Sequence, residues 1–490
     1  MGSTTKGPQL ITYPDAMGGT LRTLTDLLTT EMDGWFPGGV HLLPPFPSSA
    51  DRGYAPMSYD RVEPRFGSWS DLQQLAGRLP VTLDVMVNHM SRHSPEFRDF
   101  ERHGRASPSA DLFLRPDKVW LDDRVPEADL GRIFLRKPDH PFLDVEIGDT
   151  GDTDRVWATF GSSVDESEQI DLDWASPLTQ EMYDRWFASL AGAGVAEVRL
   201  DAVGYLVKRA GTSCFMVEPQ IWDVLARLTE HAARHGLAVL PEVHASPEVV
   251  RGLDRHGYTT YDFVLPGLML EALRSTRSRR LVAHLANLPT SRVTMLDCHD
   301  GIPIQPDLDG LVHEKDLVEL TDQLVGRGAN VNRILGAADR GIEFDAHQIN
   351  ISYLDAAGGE DGLAVARAVQ LFAPGRPQVY YQGLLGGPND HEAVAASGEG
   401  RAVNRTDYSV DAVRRALGSE ITLRQHRLLE LRSRHPAFAA ERPTVTPSGD
   451  AGLTIRWDHE GTWCQLDVDL AAVAATVGMS PTADLTEGPV

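Results

Sequence analysis

Apolar residues in this chain gather into short runs, with amphipathic stretches of helical character between them. Eight of the runs have the length and composition of strands: Gln9–Tyr13, Gly39–Leu43, Val81–Val87, Val195–Leu200, Leu237–Val243, Tyr261–Leu265, Val293–Asp297 and Gln378–Tyr381. Near-continuous apolar runs belong in a parallel sheet covered on both faces. Eight such strands alternating with helices predict an α/β chain folded as a (β/α)8 TIM barrel.

Two polar stretches interrupt the alternation. Residues 88–177 are too long for a simple loop and are expected to form an inserted domain after the third strand. Residues 301–357, rich in Asp, Gly and Arg, form a second insertion after the seventh. The barrel is then assigned to residues 1–87, 178–300 and 358–435. From 436 to 490 the texture changes to strand-like pieces, Leu453–Trp457 and Thr462–Val468, which predict a small terminal β domain. Internal repeats and low-complexity tracts are absent from the sequence.

Composition adds exclusions. Apolar residues make up 42% and charged residues 24% of the 490, as in ordinary soluble proteins. The 70 acidic and 46 basic residues leave a net charge of −24, which argues against nucleic-acid or anionic-membrane partners. An anionic substrate would have to meet a local basic patch. Cys214, Cys298 and Cys464 are too few and too scattered for a disulfide framework or a zinc site. The N-terminal stretch lacks the apolar core of a secretion signal, and no apolar run is long enough to span a bilayer, so a cytoplasmic protein is expected.

Three of the strand-like runs end on acids. One leads into Arg199-Leu-Asp-Ala-Val-Gly-Tyr205, the next into Glu242-Val-His244, and the third into Asp297-Cys-His-Asp300. Strand ends at one mouth of a barrel build one site. Paired carboxylates fit retaining glycoside chemistry, in which one is the nucleophile and the other donates and then recovers a proton. Arg199 stands two residues before Asp201, so on a strand both side chains face the same way and the cation favours an ionised Asp201. A third acid, Asp300, would stabilise positive charge at the anomeric carbon. Any one of these acids taken alone reads as an exposed loop residue or an ion-pair partner; the three motifs together reverse that reading.

These motifs resemble the α-amylase clan (glycoside hydrolase family 13). Asp84-Val-Met-Val-Asn-His89 is similar to its first motif, Arg199–Tyr205 to the nucleophile motif, Glu242–His244 to the acid/base motif and Leu296–Asp300 to the stabiliser motif. Gly211–Phe215 and Gly400–Arg405 resemble the sucrose phosphorylase subfamily more narrowly. The resemblance implies Asp201 as nucleophile, Glu242 as acid/base and Asp300 as stabiliser. It implies that His89 and His299 hydrogen-bond glucose hydroxyls, that Asp51 and Arg405 hold the side near the 4-hydroxyl, and that Tyr54 and Tyr205 are apolar platforms. His244 lies just beyond the acid/base.

The same acids serve hydrolysis, transglycosylation and phosphorolysis. If phosphate attacks the intermediate, the acceptor side needs cations and hydrogen-bond donors. Arg136 and Lys137 in the first insertion, and Asp345, His347 and Gln348 in the second, are the candidates. An Arg-Lys pair in isolation reads as a solvated surface pair; it gains interest because its insertion should hang over the barrel mouth. Where plain sucrose phosphorylases carry an Arg-Pro-Arg element and a Tyr before the Gln, this chain has Leu135-Arg136-Lys137 and His347. Both departures resemble the sucrose 6′-phosphate phosphorylases. The implied reaction is reversible phosphorolysis of sucrose 6′-phosphate, with inorganic phosphate as co-substrate and no other cofactor or metal. The implied partners are small molecules, and the expected assembly is a monomer or homodimer. Sucrose or glucosylglycerol as donor, a hydrolase or transglucosidase, and a non-catalytic carbohydrate-binding protein are the rival readings.

Overall fold

The computed structural model describes residues 7–121, 124–161, 165, 167–333, 344–481, 485 and 487–490. Eight parallel strands form one sheet: β1 (Gln9–Thr12), β2 (Val40–Leu42), β3 (Val81–Met86), β4 (Glu197–Asp201), β5 (Ala238–Pro241), β6 (Thr260–Asp262), β7 (Arg292–Thr294) and β8 (Arg376–Tyr380). Their order is β6-β7-β8-β1-β2-β3-β4-β5, a cyclic permutation of chain order, and this is the (β/α)8 barrel. Each apolar run expected from the sequence corresponds to one of these strands. β3 and β8 are buried along their whole length, as strands of a parallel sheet covered on both faces. Helices follow the strands, and some of their starts carry side-chain caps. Ser68 and Asp71, for example, form a reciprocal capping box at the helix Trp69–Ala76.

The described residues divide into two compact units. The first, residues 42–243, holds β3, β4 and β5. After β3 its chain makes two short antiparallel pairs. His89–Ser91 pairs with Gln169–Asp171, which sets His89 opposite Asp171, and Phe142–Glu146 pairs with Thr153–Trp157. Leu114, Trp120, Ile133, Phe142, Trp157 and Cys214 form a buried cluster there, with the Trp120 and Trp157 rings parallel at 5.8 Å. Cys214 comes from the loop after β4, so the excursion packs against that loop.

The second unit, residues 7–41, 244–333 and 344–490, holds β1, β6, β7 and β8. Within the stretch after β7, Ala346–Asn350 pairs antiparallel with Ile302–Pro303 on one edge and Asn330–Arg333 on the other. At the C-terminus five antiparallel strands run in chain order: Thr444–Ser448, Gly452–His459, Thr462–Asp469, Ala474–Met479 and Gly488–Pro489. Leu453, Ile455 and Trp457 alternate inward, matched by Cys464, Leu466 and Val468. The indole N–H of Trp457 donates to the Phe372 carbonyl at 2.8 Å and ties this sheet to the helix Glu360–Phe372. None of the three cysteines is disulfide-bonded. Among the described residues no helix is long and apolar enough to cross a membrane.

Candidate active site

In the first unit one guanidinium organises three carboxylates. Asp84 on β3 lies in register with Arg199 on β4. Arg199 Nη1 donates to Asp201 Oδ1 at 2.8 Å and also bonds Asp84, while its Nη2 lies 3.7 Å from Glu242 Oε1. Glu242 stands one residue beyond β5. The chain turns sharply after Asp201, with Ala202 left-handed at φ 52°, and the Ala202 N–H donates to Glu242 Oε2 at 3.2 Å. Arg199 is buried. Burial alone would disfavour its charge, but Asp84, Glu242 and Asp201 outweigh that and hold its pKa well above the ordinary value. Asp84 is part of a quoted motif yet was not expected as a site residue. An acid in the middle of an apolar strand, where burial demands a charged partner, was the available signal.

His89 is buried, with Nε2 3.0 Å from the Tyr54 carbonyl and its ring 5.3 Å from that of Phe160. Burial lowers its pKa against the upward pull of Asp171 and Asp51, which keeps the imidazole neutral at neutral pH. Its Nδ1 is buried without a hydrogen-bond partner among the described residues. A buried ring nitrogen with no protein partner is suited to a sugar hydroxyl. Asp51 opens a short 3-10 turn, Asp51–Gly53, and both Asp51 and Arg52 have positive φ. Tyr54 follows and is buried.

Tyr205 ends the turn after β4 amid Phe160, Phe215 and Phe134, at ring separations of 4.9, 4.8 and 6.4 Å. Burial pushes its hydroxyl up to about 12, opposed by the nearby Arg136, which hydrogen-bonds it. Arg136 also lies 5.8 Å over the Phe160 ring. Lys137 is next in the chain and turns inward. It is buried, and its ammonium donates to Ser167 Oγ at 2.9 Å and to the Phe142 carbonyl at 3.3 Å. Both bonds are made within the insertion. Lys208 was missed. Its buried ammonium lies 2.8 Å from Asp171 Oδ2, donates to Thr159 Oγ1 at 3.2 Å and bonds the Tyr205 carbonyl. Three residues past Tyr205, it fastens the site turn to the excursion.

In the second unit, the residues after β7 carry His299 and Asp300. His299 Nε2 is 3.1 Å from Asp300 Oδ2, and its ring meets Tyr13 edge-on at 6.3 Å. Arg405 Nε donates to the His299 carbonyl at 2.8 Å, and its guanidinium sits 5.8 Å from the Tyr13 ring centre. Arg401 Nη1 lies 3.2 Å from Asp300 Oδ1 and went unnoticed in the sequence, although it shares the Gly400–Arg405 motif. Asn350 Nδ2 donates to the Asp300 carbonyl at 2.7 Å. Among the described residues, Cys298, His299 and Asp300 bring ligand-type atoms within 4.8 Å of one another. The Cys298 thiol is already turned to the Gly301 carbonyl at 3.6 Å, so this group does not fit a metal ion.

The acceptor-side candidates of this unit gather around another pair of imidazoles. His244 stacks on Phe263 at 3.8 Å, and its Nδ1 is 3.4 Å from the buried carboxylate of Asp307. His347 lies 6.2 Å from His244 ring to ring, with Nδ1 2.6 Å from the Gln305 carbonyl. Gln348 is buried, and its Oε1 accepts no hydrogen bond among the described residues. Asp345 pairs with Arg333 in a partly exposed ion bridge.

Comparison with known proteins fits this geometry. The family described as the alpha amylase catalytic domain matches residues 37–252. A sucrose 6(F)-phosphate phosphorylase of Thermoanaerobacterium thermosaccharolyticum is 43% identical over 471 residues, 96% of each chain. A glucosylglycerol phosphorylase of Marinobacter adhaerens is 37% identical over 463 residues, 94% of each chain. The crystal structure of the sucrose 6F-phosphate phosphorylase from Thermoanaerobacter thermosaccharolyticum superimposes with a TM-score of 0.94 at 41% identity, covering 100% of this chain and 98% of that one. With the motifs in place on β3, β4, β5 and β7, this chain belongs to the α-amylase clan and, within it, to the glycoside phosphorylases of the sucrose phosphorylase subfamily.

Proposed function

We propose that the chain catalyses reversible phosphorolysis of sucrose 6′-phosphate, with retention, to α-glucose 1-phosphate and fructose 6-phosphate. The observation that carries the chemistry is the shared guanidinium: Arg199 binds Asp201 at 2.8 Å and has Glu242 at 3.7 Å, so one cation serves both carboxylates. Retaining glycosidases use such a pair, one acid as nucleophile and the other as acid/base. Asp201 attacks the anomeric carbon, forming an ester as the bond to the fructosyl oxygen breaks. Glu242 gives that oxygen its proton. Phosphate then attacks the same carbon, breaks the ester and surrenders a proton to Glu242. Asp300 stabilises the positive charge that develops at the anomeric carbon. His89 and His299 hold glucose hydroxyls, with Asp51 and Arg405 near the 4-hydroxyl and Tyr54 and Tyr205 as platforms.

The choice of donor rests on Arg136 and His347, supported by the 43% identity to a sucrose 6(F)-phosphate phosphorylase. Arg136 supplies a permanent charge beside Tyr205, and His347 an imidazole whose Nδ1 is committed to the Gln305 carbonyl. The test is a donor panel of sucrose 6′-phosphate, sucrose and glucosylglycerol with inorganic phosphate, assayed for glucose 1-phosphate. Sucrose 6′-phosphate is expected to give the highest kcat/KM. Arg136→Ala and His347→Ala should raise its KM by about tenfold or more, with a much smaller change for sucrose. Equal effects on both donors would refute the acceptor-phosphate assignment. Glucose release at the same rate without phosphate would point to a hydrolase. Asp201→Asn should lose turnover with every donor.

A further inference from the structure

A buried charge pair stands behind the His299–Asp300 dipeptide. Asp297 is 2% exposed and Arg367 is fully buried. Arg367 Nη2 lies 3.6 Å from Asp297 Oδ1, an ion pair too long for a direct hydrogen bond. The rest of the guanidinium is fully engaged: Nε donates to Gln425 Oε1 at 2.8 Å and Nη1 bonds Gln370 Oε1. Gln370 Nε2 donates to the carbonyls of Thr294 on β7 and Gln378 on β8, both at 2.9 Å. Gln425 Nε2 donates to the carbonyls of Gly383 and Leu384 at 3.1 and 3.0 Å. Gly383 leaves room for the pair: a Cβ there would lie 2.5 Å from Asp297 Oδ2 and 2.9 Å from Arg367 Nη2.

Stability is a poor explanation for such a pair, because apolar residues of similar volume often serve a core equally well. Its place in the chain is a better one. Asp297 precedes His299 by two residues and Asp300 by three, in a segment past the end of β7 with no strand ladder to hold it. The backbone around it is pinned by side chains instead. Asn404 bonds the Cys298 carbonyl at 3.0 Å, Arg405 the His299 carbonyl and Asn350 the Asp300 carbonyl.

We propose that Asp297, held against Arg367, is a positioning residue that fixes the His299–Asp300 turn for glucosyl transfer; this rests on the reading of those two residues as glucose-binding and charge-stabilising groups. The groups facing Asp297 are Arg367, Tyr353 and the Gly383 amide. Burial holds the Asp297 carboxyl up to about 6 against the pull of Arg367, so its charge is shed in mild acid.

The test uses full-length Asp297→Asn and Arg367→Lys, with kcat and KM for the best donor measured between about pH 5 and 8 beside thermal unfolding. Asp297→Asn is expected to lower kcat about tenfold or more at neutral pH while KM moves less than about threefold. The gap to wild type should narrow as pH falls, because the wild type then loses the same charge. Arg367→Lys should retain more activity than Arg367→Met. A folded Asp297→Asn with wild-type kcat, or a deficit that does not vary with pH, overturns the inference. If Asp297→Asn does not fold, Gly383→Ala displaces the pair with both charges intact, and an unchanged kcat there overturns it equally. A wild type inactive on every glucoside defeats the functional reading instead, which separates the two failures.

Discussion

Arg199 shows how much one residue can carry. Its guanidinium is 4% exposed and faces three carboxylates that are no more than 15% exposed. Removing it leaves buried negative charge uncompensated. Arg199→Leu should therefore cost about 3–5 kcal/mol, seen as a lower denaturant midpoint, and abolish turnover. Arg199→Lys keeps the charge but not the fork, so it can serve one acid at a time and should recover stability more than kcat. His89 makes a pH prediction. Its pKa lies below the ordinary 6.5, so its contribution to stability is present above that value and is lost as pH falls through the lower folded value. The melting temperature should drop between about pH 7 and 5, and less steeply in His89→Gln. Asp297 has the opposite sign. Its carboxyl sits above the ordinary 3.8, so it favours folding in acid and ceases to do so as pH rises through about 6.

At the level of elements, the stretch after β7 offers the sharpest test. Gly301 has φ 100°, and a Cβ there would stand 2.5 Å from Asn350 Nδ2 and 2.7 Å from the Ile349 carbonyl. Gly301→Ala should cost about 1–3 kcal/mol in strain and dislodge the Asn350 bond to the Asp300 carbonyl. Calorimetry and kcat should fall together; a variant with unchanged kcat would show that Asn350 does not hold the Asp300 turn. The barrel strands were legible because each lies in or beside a short apolar run of the chain. Ala346–Asn350 was not, because its buried centre is His347-Gln348 and its partners lie about Ile302 and Asn330. His89–Ser91 was hidden for the same reason: three residues paired with a partner near residue 170 leave no periodic signal. Arg136 and Lys137 expose a further limit. The sequence places two cations side by side, but adjacent side chains diverge. One meets Tyr205 and the other bonds Ser167.

For the whole molecule the decisive number is the net charge of −24. Excess charge of one sign destabilises the folded state by self-repulsion, and salt screens it over a Debye length of about 10 Å at 0.1 M. Exposed pairs such as Arg155–Asp144 and Arg98–Glu101 are weakened by the same salt, but each is worth only about 0–1 kcal/mol. Repulsion among the surplus acids outweighs them, so the melting temperature should rise from about 0.01 to 0.3 M sodium chloride and then level off. Fructose 6-phosphate at matched ionic strength should raise it further, since a ligand that binds only the folded chain adds its own stabilisation. That extra increment should shrink in Arg136→Ala, while the chloride response stays the same. A melting temperature that falls with chloride would mean that the ion pairs dominate. A fructose 6-phosphate increment untouched by Arg136→Ala would mean that the anion is received elsewhere.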